Sequence, residues 1–147
     1  MKIAVGSDHA GYETPGPEYK PGIMDFLKSL GHDVVDCGTN GPEPVDYPDF
    51  AKRVSEAIMK GEAQMGVLIC GTGIGIAIAA NRFPGIRAAV CTSPEMARIA
   101  REHNEANVVA VGRRILSLEQ CLEIVKTFLE TPFSGAERHK RRVGKMG

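Results

Sequence analysis

The chain of 147 residues has no tryptophan, and Phe and Tyr together make only 5% of it. Its core must therefore be built from aliphatic side chains. It also lacks any run near the roughly 18 consecutive apolar residues that a membrane helix needs. Met1 leads directly into a strand-like segment, without the charged-then-apolar pattern of a secretion signal. A cytoplasmic location with no membrane partner is expected. Paired cysteine motifs are missing too: the four cysteines, Cys37, Cys70, Cys91 and Cys121, are widely spaced without a CxxC pair, so neither a zinc site nor a disulfide framework is suggested. Net charge is absent overall, with 18 Lys+Arg against 18 Asp+Glu, yet five of the basic residues and one acidic residue follow Ala136. A tail of charge +4 thus follows a body of charge −4.

What is present is an apolar fraction of 43%, enough for one globular domain over residues 1–147 with a basic tail from about residue 131. Short apolar runs alternate with amphipathic stretches, the pattern of a parallel sheet covered on both faces. Strands are predicted at Lys2–Ser7, His32–Cys37, Met65–Cys70, Arg87–Cys91 and Asn107–Val111. Helices are predicted at about Gly22–Leu30, Asp49–Lys60, Gly73–Asn81, Pro94–His103 and Leu118–Glu130. Ser117 with Gln120 forms a capping-box pattern, Thr92 or Ser93 can cap the helix opening at Pro94, and Gly31 and Gly61 close helices. Thr14 to Gly22, with three prolines and two glycines, is expected as a loop outside any helix interior. The expected fold is a Rossmann-like three-layer α/β/α sandwich with a five-stranded parallel sheet, whose ligands sit beyond the carboxyl ends of the strands.

At that edge the strongest local feature is Cys70-Gly71-Thr72-Gly73-Ile74-Gly75, a thiol at a strand end followed by a glycine-rich turn into a helix. Two readings stand. Backbone N–H groups and the helix field can face an anion and activate a thiol as nucleophile or base; alternatively, the glycines only permit close packing around a small buried cysteine. Known loop chemistries fail on spacing, because Ile76 stands where a dinucleotide fingerprint needs glycine and where a cysteine phosphatase needs arginine. Asp8-His9 closes the first strand at the same edge, where an Asp more often caps a turn. Asp46-Tyr47-Pro48 reads as a helix entry, with Tyr47 a pocket wall in the functional alternative. His103-Asn104 ends a helix whose stripe Met96, Ile99, Ala100 and His103 suits a partly buried histidine. In the tail, Arg138 and Arg142 would share a helical face suited to one phosphate; without interleaved aromatics or a basic body, nucleic-acid binding is not expected.

Together, Gly6-Ser7-Asp8-His9-Ala10-Gly11, Asp46-Tyr47-Pro48, Ile69 to Gly75, Ala79-Ala80-Asn81-Arg82, Gly85-Ile86-Arg87-Ala88, His103-Asn104 and Arg138-His139 resemble the ribose-5-phosphate isomerase B family, which also contains the galactose-6-phosphate isomerase subunits. The resemblance implies reversible aldose–ketose isomerisation of ribose 5-phosphate and ribulose 5-phosphate through an enediolate, with no metal and no cofactor. It gives Cys70 the role of base, assigns Thr72 to the reacting oxygens, and uses the amides of Gly71, Gly73, Ile74 and Gly75 to hold the oxyanion. His103 would open the sugar ring, with Asp8, Tyr47 and Asn104 around the sugar and His9, Arg114, Arg138 and Arg142 on the phosphate. A six-carbon sugar phosphate is the nearest alternative substrate, and a non-catalytic module binding a phosphorylated metabolite is the alternative of another class. The insertion after Glu13 is a departure from the family pattern at the pocket mouth.

The fourth helix runs away from the strand ends, so at about 1.5 Å per residue His103 should lie on the order of 14 Å toward the opposite edge. A homodimer, alone or as a dimer of dimers, is therefore expected, with each active site shared between subunits.

Overall fold

A computed structural model describes residues 1–147. Five parallel strands form one sheet: β1 (Lys2–Ser7), β2 (Asp33–Asp36), β3 (Met65–Cys70), β4 (Ala88–Val90) and β5 (Val108–Gly112), in the order β2-β1-β3-β5-β4. Six helices accompany them: α1 (Tyr19–Ser29), α2 (Tyr47–Met59), α3 (Ile74–Ala80), α4 (Pro94–Asn104), α5 (Leu118–Glu130) and α6 (Glu137–Gly144). The three-layer α/β/α expectation is met.

Strand side chains alternate between the two faces. Ile3, Val5, Val67, Ile69, Val109 and Val111 point into a core shared with α1, α4 and α5, whereas Ala4, Leu68, Cys70, Val108 and Ala110 point into a second core shared with α2 and α3. Phe128 is the one fully buried phenylalanine. Beyond Tyr19, Phe50 and three cysteines, the rest of these interiors is aliphatic, as the scarcity of aromatics requires.

Local signals set several boundaries. Ser117 Oγ accepts from Gln120 N–H at 3.1 Å while Gln120 Oε1 accepts from Ser117 N–H at 2.8 Å, which completes the capping box of α5. Ser93, not Thr92, caps α4 by accepting from Met96 N–H at 3.2 Å. Gly31 and Gly61 follow α1 and α2 with φ of +88° and +76°, the left-handed geometry that ends helices.

The expected loop ends earlier than its composition suggests, because α1 begins at Tyr19 and carries Pro21 and Gly22 in its first turn. Proline is tolerated there, where backbone N–H groups have no partner within the helix. Likewise α2 starts at Tyr47, with Pro48 in its first turn. A short 3-10 helix, His9–Tyr12, follows β1, and the tail folds as α6; neither stands among the predicted helices. Strands β2, β4 and β5 differ from expectation by one residue at either end.

The chain turns from β1 to β2 on one side and reaches β3 on the other, so the strand order reverses between β1 and β3. Such a reversal opens a crevice beyond the strand ends. Ser7 and Asp8 leave β1 at its edge, and Cys70 ends β3 beside them: Asp8 N–H donates to Ile69 O at 3.1 Å.

Candidate active site

Backbone hydrogen bonds bring three loops around this crevice. The β2–α2 loop is tied to the end of β1 by Ser7 N–H to Gly38 O (2.8 Å) and Thr39 N–H to Ser7 O (2.7 Å). The β5–α5 loop is tied to the β3–α3 turn by Arg113 N–H to Cys70 O and Arg114 N–H to Gly71 O, both 2.9 Å. One pocket results, lined by Asp8, Tyr47, Cys70, Gly71, Thr72, Ile74, Gly75 and Arg114.

Cys70 is 4% exposed, yet it forms part of the pocket wall, and its Sγ accepts from Gly73 N–H at 3.1 Å. Gly73 has φ +83°, a conformation that side-chain-bearing residues avoid, and this fold of the turn directs its N–H at the sulfur. Thr72 Oγ1 accepts from Ile74 N–H at 3.2 Å. A Cβ on Gly75 would lie 2.7 Å from the Tyr47 ring, so only glycine lets Tyr47 close over the turn. Asp8 Oδ1 accepts from Ala10 N–H at 2.9 Å; the residue is therefore a cap and a pocket wall at once. Burial pushes the Asp8 carboxyl above its ordinary range despite that N–H donor and the nearby His9. His9 is not among the lining residues, and its Nδ1 accepts from Val45 N–H at 3.2 Å.

Arg114 is paired with Glu13, whose Oε1 and Oε2 lie 3.0 and 3.3 Å from its Nε. The ion pair holds the Glu13 carboxyl below the usual carboxylate range. Residue spacing could not announce this contact, because 101 positions separate the partners.

The remaining expected residues gather elsewhere. His103, at the end of α4, stacks on His139 of α6 with ring centroids 4.4 Å apart. His139 Nδ1 lies 2.6 Å from Ser134 Oγ. Burial lowers the His139 pKa, and Arg138, His103 and Arg142 add to the effect. The contact made by His139 went unpredicted although Arg138-His139 was among the matching motifs. Asn104 lines clefts along the edge strand β4, and Arg138 and Arg142 are exposed on α6. None of these four residues belongs to the wall of the Cys70 pocket.

Residues 3–146 match a family described as Ribose/Galactose Isomerase. The chain belongs to that family. It is 45% identical to the ribose-5-phosphate isomerase B of Escherichia coli over 142 residues, covering 97% of this chain and 91% of that protein. A solved structure of the Clostridium thermocellum ribose-5-phosphate isomerase B superposes with a TM-score of 0.94 at 55% identity, covering 100% of this chain and 95% of the other. The type B enzyme of Trypanosoma brucei gives 0.92 at 43% identity, covering 99% and 95%. These likenesses span the sheet, the Cys70 turn and the α6 tail alike. No helix is long and apolar enough to cross a membrane.

Proposed function

We propose that this chain is a ribose-5-phosphate isomerase that interconverts D-ribose 5-phosphate and D-ribulose 5-phosphate. The observation that carries the reading is the Cys70 thiol opening on one pocket with Thr72, Asp8 and Arg114, in a chain of the isomerase family. As thiolate, Cys70 takes the C2 proton of the open-chain aldose, and the electron pair moves to leave an enediolate with its charge on O1. Returning that proton to C1, while the O2 proton passes to O1, completes the ketose. The Gly73 N–H already aimed at Sγ can carry part of the sulfur charge, and the amides of the 71–75 turn are preorganised donors of the kind that stabilise an oxyanion. Thr72 serves the reacting oxygens, while Asp8 and Tyr47 flank the sugar.

His103 acts as the ring-opening acid–base, Asn104 supports the sugar, and Arg138 and Arg142 join Arg114 and His9 on the phosphate. These residues complete the site across a homodimer. Support comes from their position on α4 and α6, outside the wall of the Cys70 pocket. The compared relatives carry the five-carbon name, which favours ribose 5-phosphate over a six-carbon sugar phosphate.

Incubation with ribose 5-phosphate in heavy water should place deuterium in the sugar, and Cys70→Ala should abolish this while phosphate-ligand binding persists. Unlabelled sugar with the unaltered protein would overturn the assignment. For the shared site, Cys70→Ala and His103→Ala proteins, each inactive alone, should regain activity when mixed under subunit exchange; no recovery would leave each site within one chain.

A further inference from the structure

Arg114 reaches the pocket from the β5–α5 loop, and its guanidinium has one engaged edge and one free edge. Nε and Nη2 both donate to the Glu13 carboxylate, whereas Nη1 makes no hydrogen bond within the chain. Nη1 is the atom turned toward the Cys70 turn, 3.0 Å from where a Cβ on Gly71 would stand. A carboxylate that merely imitated a substrate anion would take the edge facing the pocket. Glu13 takes the other one.

Glu13 is itself held in place. The neighbouring Arg113 donates through Nη2 to Pro15 O at 3.0 Å and to Glu13 O at 3.4 Å, and its guanidinium lies 4.5 Å from the centroid of the Tyr19 ring. Tyr19 donates its hydroxyl to Leu116 O at 2.6 Å. The 13–19 segment is thereby laced to the 113–116 loop at both ends, with two adjacent arginines doing different work: Arg113 grips backbone, and Arg114 is gripped by a carboxylate. The low pKa of Glu13 keeps that carboxylate charged well below neutral pH.

We infer that Glu13 is a positioning residue for Arg114, fixing the guanidinium plane so that its Nη1 edge meets the anionic end of the substrate. The inference rests on the proposed role of Arg114 in receiving the sugar phosphate. A free arginine side chain has many rotamers to lose, and ordering it before the ligand arrives lowers the cost of binding.

The test is a double-mutant cycle of Glu13→Gln and Arg114→Ala, with Glu13→Ala as a second variant. It is read as KM and kcat for ribose 5-phosphate and, independently of turnover, as the Kd for inorganic phosphate by calorimetry. Alone, Glu13→Gln should raise KM and the phosphate Kd about three- to five-fold, the range of an exposed ion pair, with kcat within about two-fold. In the Arg114→Ala background, replacing Glu13 should change neither. A lower or unaltered Kd on replacing Glu13 overturns the inference, because the carboxylate would then compete with the anion or ignore it. An equal rise in both backgrounds also overturns it, since Glu13 would act through the loop rather than through Arg114. Phosphate binding that follows the cycle in a protein without turnover would uphold the inference while refuting the isomerase assignment.

Discussion

Lys20 is fully buried in α1, and its ammonium is shared between Asp36 Oδ1 at 2.5 Å and Asn40 Oδ1 at 2.9 Å, with the Tyr12 ring centroid 5.9 Å away. It therefore joins α1 to the end of β2 and to the loop that leads toward Tyr47. Replacement by Met keeps most of the volume and removes the charge. Removing one partner from a fully buried pair costs about 3–5 kcal/mol; the Asp36 side chain is 38% exposed and retains the Gly38 N–H at 2.9 Å, so water and this donor recover part of the loss. The expected destabilisation is about 2 kcal/mol, or a fall in Tm of roughly 4–8 °C for a domain of this size. Urea unfolding followed by circular dichroism would measure it. The pH dependence supplies a second check. Burial raises the Asp36 pKa, but Lys20 and the Gly38 N–H outweigh it and hold the carboxyl below its ordinary value. A depressed carboxylate contributes stability that is present above the unfolded pKa, about 3.9, and is lost as pH falls through the folded pKa. The gap between the wild-type protein and Lys20→Met should therefore be full at pH 7 and shrink below about pH 4. A variant within about 0.5 kcal/mol of wild type at pH 7 would refute the argument.

Burial pushes the Cys91 thiol up to about 11 and that of Cys121 up to about 12, so iodoacetamide at pH 8 should spare both. Peptide mass mapping should instead find early modification at Cys70, slowed by added sugar phosphate; early labelling of Cys121 would contradict its packing against α1 and the sheet. The lowered pKa of His139 means that the folded chain favours the neutral imidazole. That contribution is present above the unfolded pKa of about 6.5 and is lost as pH falls through the folded value, so the protection factors of the α6 amides, taken against the intrinsic exchange rate at each pH, should fall on acidification from pH 7 to 5 and should fall less in His139→Asn. Ser117→Ala removes the acceptor for Gln120 N–H and should cost about 1 kcal/mol in urea unfolding; no loss would mean the capping box adds nothing to α5.

Much of this architecture was legible because it is locally encoded. The short apolar runs announced all five strands, and Ser117-Leu118 through Glu130 announced α5 with its cap, since each signal lies within a few residues of what it specifies. The segment Thr14 to Gly22 misled for a related reason. Proline reads as a helix breaker unless its position in the first turn is known, and that position depended on Tyr19 and Lys20 being buried against distant partners. The α6 helix was likewise hidden, because its one buried side chain, His139, packs on His103 of α4. For the pocket, Asp8, Cys70 and Thr72 could be picked out by their place at strand ends. The pairing of Glu13 with Arg114 could not, and neither could the stacking of His139 on His103, whereas the separation of His103 from the strand-end crevice followed from the direction of its helix.

The sequence alone therefore determined which residue types stand at the carboxyl ends of the strands, and hence the chemistry open to this protein: a thiol in a glycine turn, carboxylate and imidazole at one edge, and cations in a tail that leaves the whole chain neutral. The tertiary structure decided which of these groups meet. Strand order is a long-range property, set by how β1, β3 and β5 pair in the sheet, and only that pairing puts Asp8 beside Cys70 and seats Arg114 over Gly71 with Glu13 behind it, while the packing of α6 on α4 stacks His139 on His103.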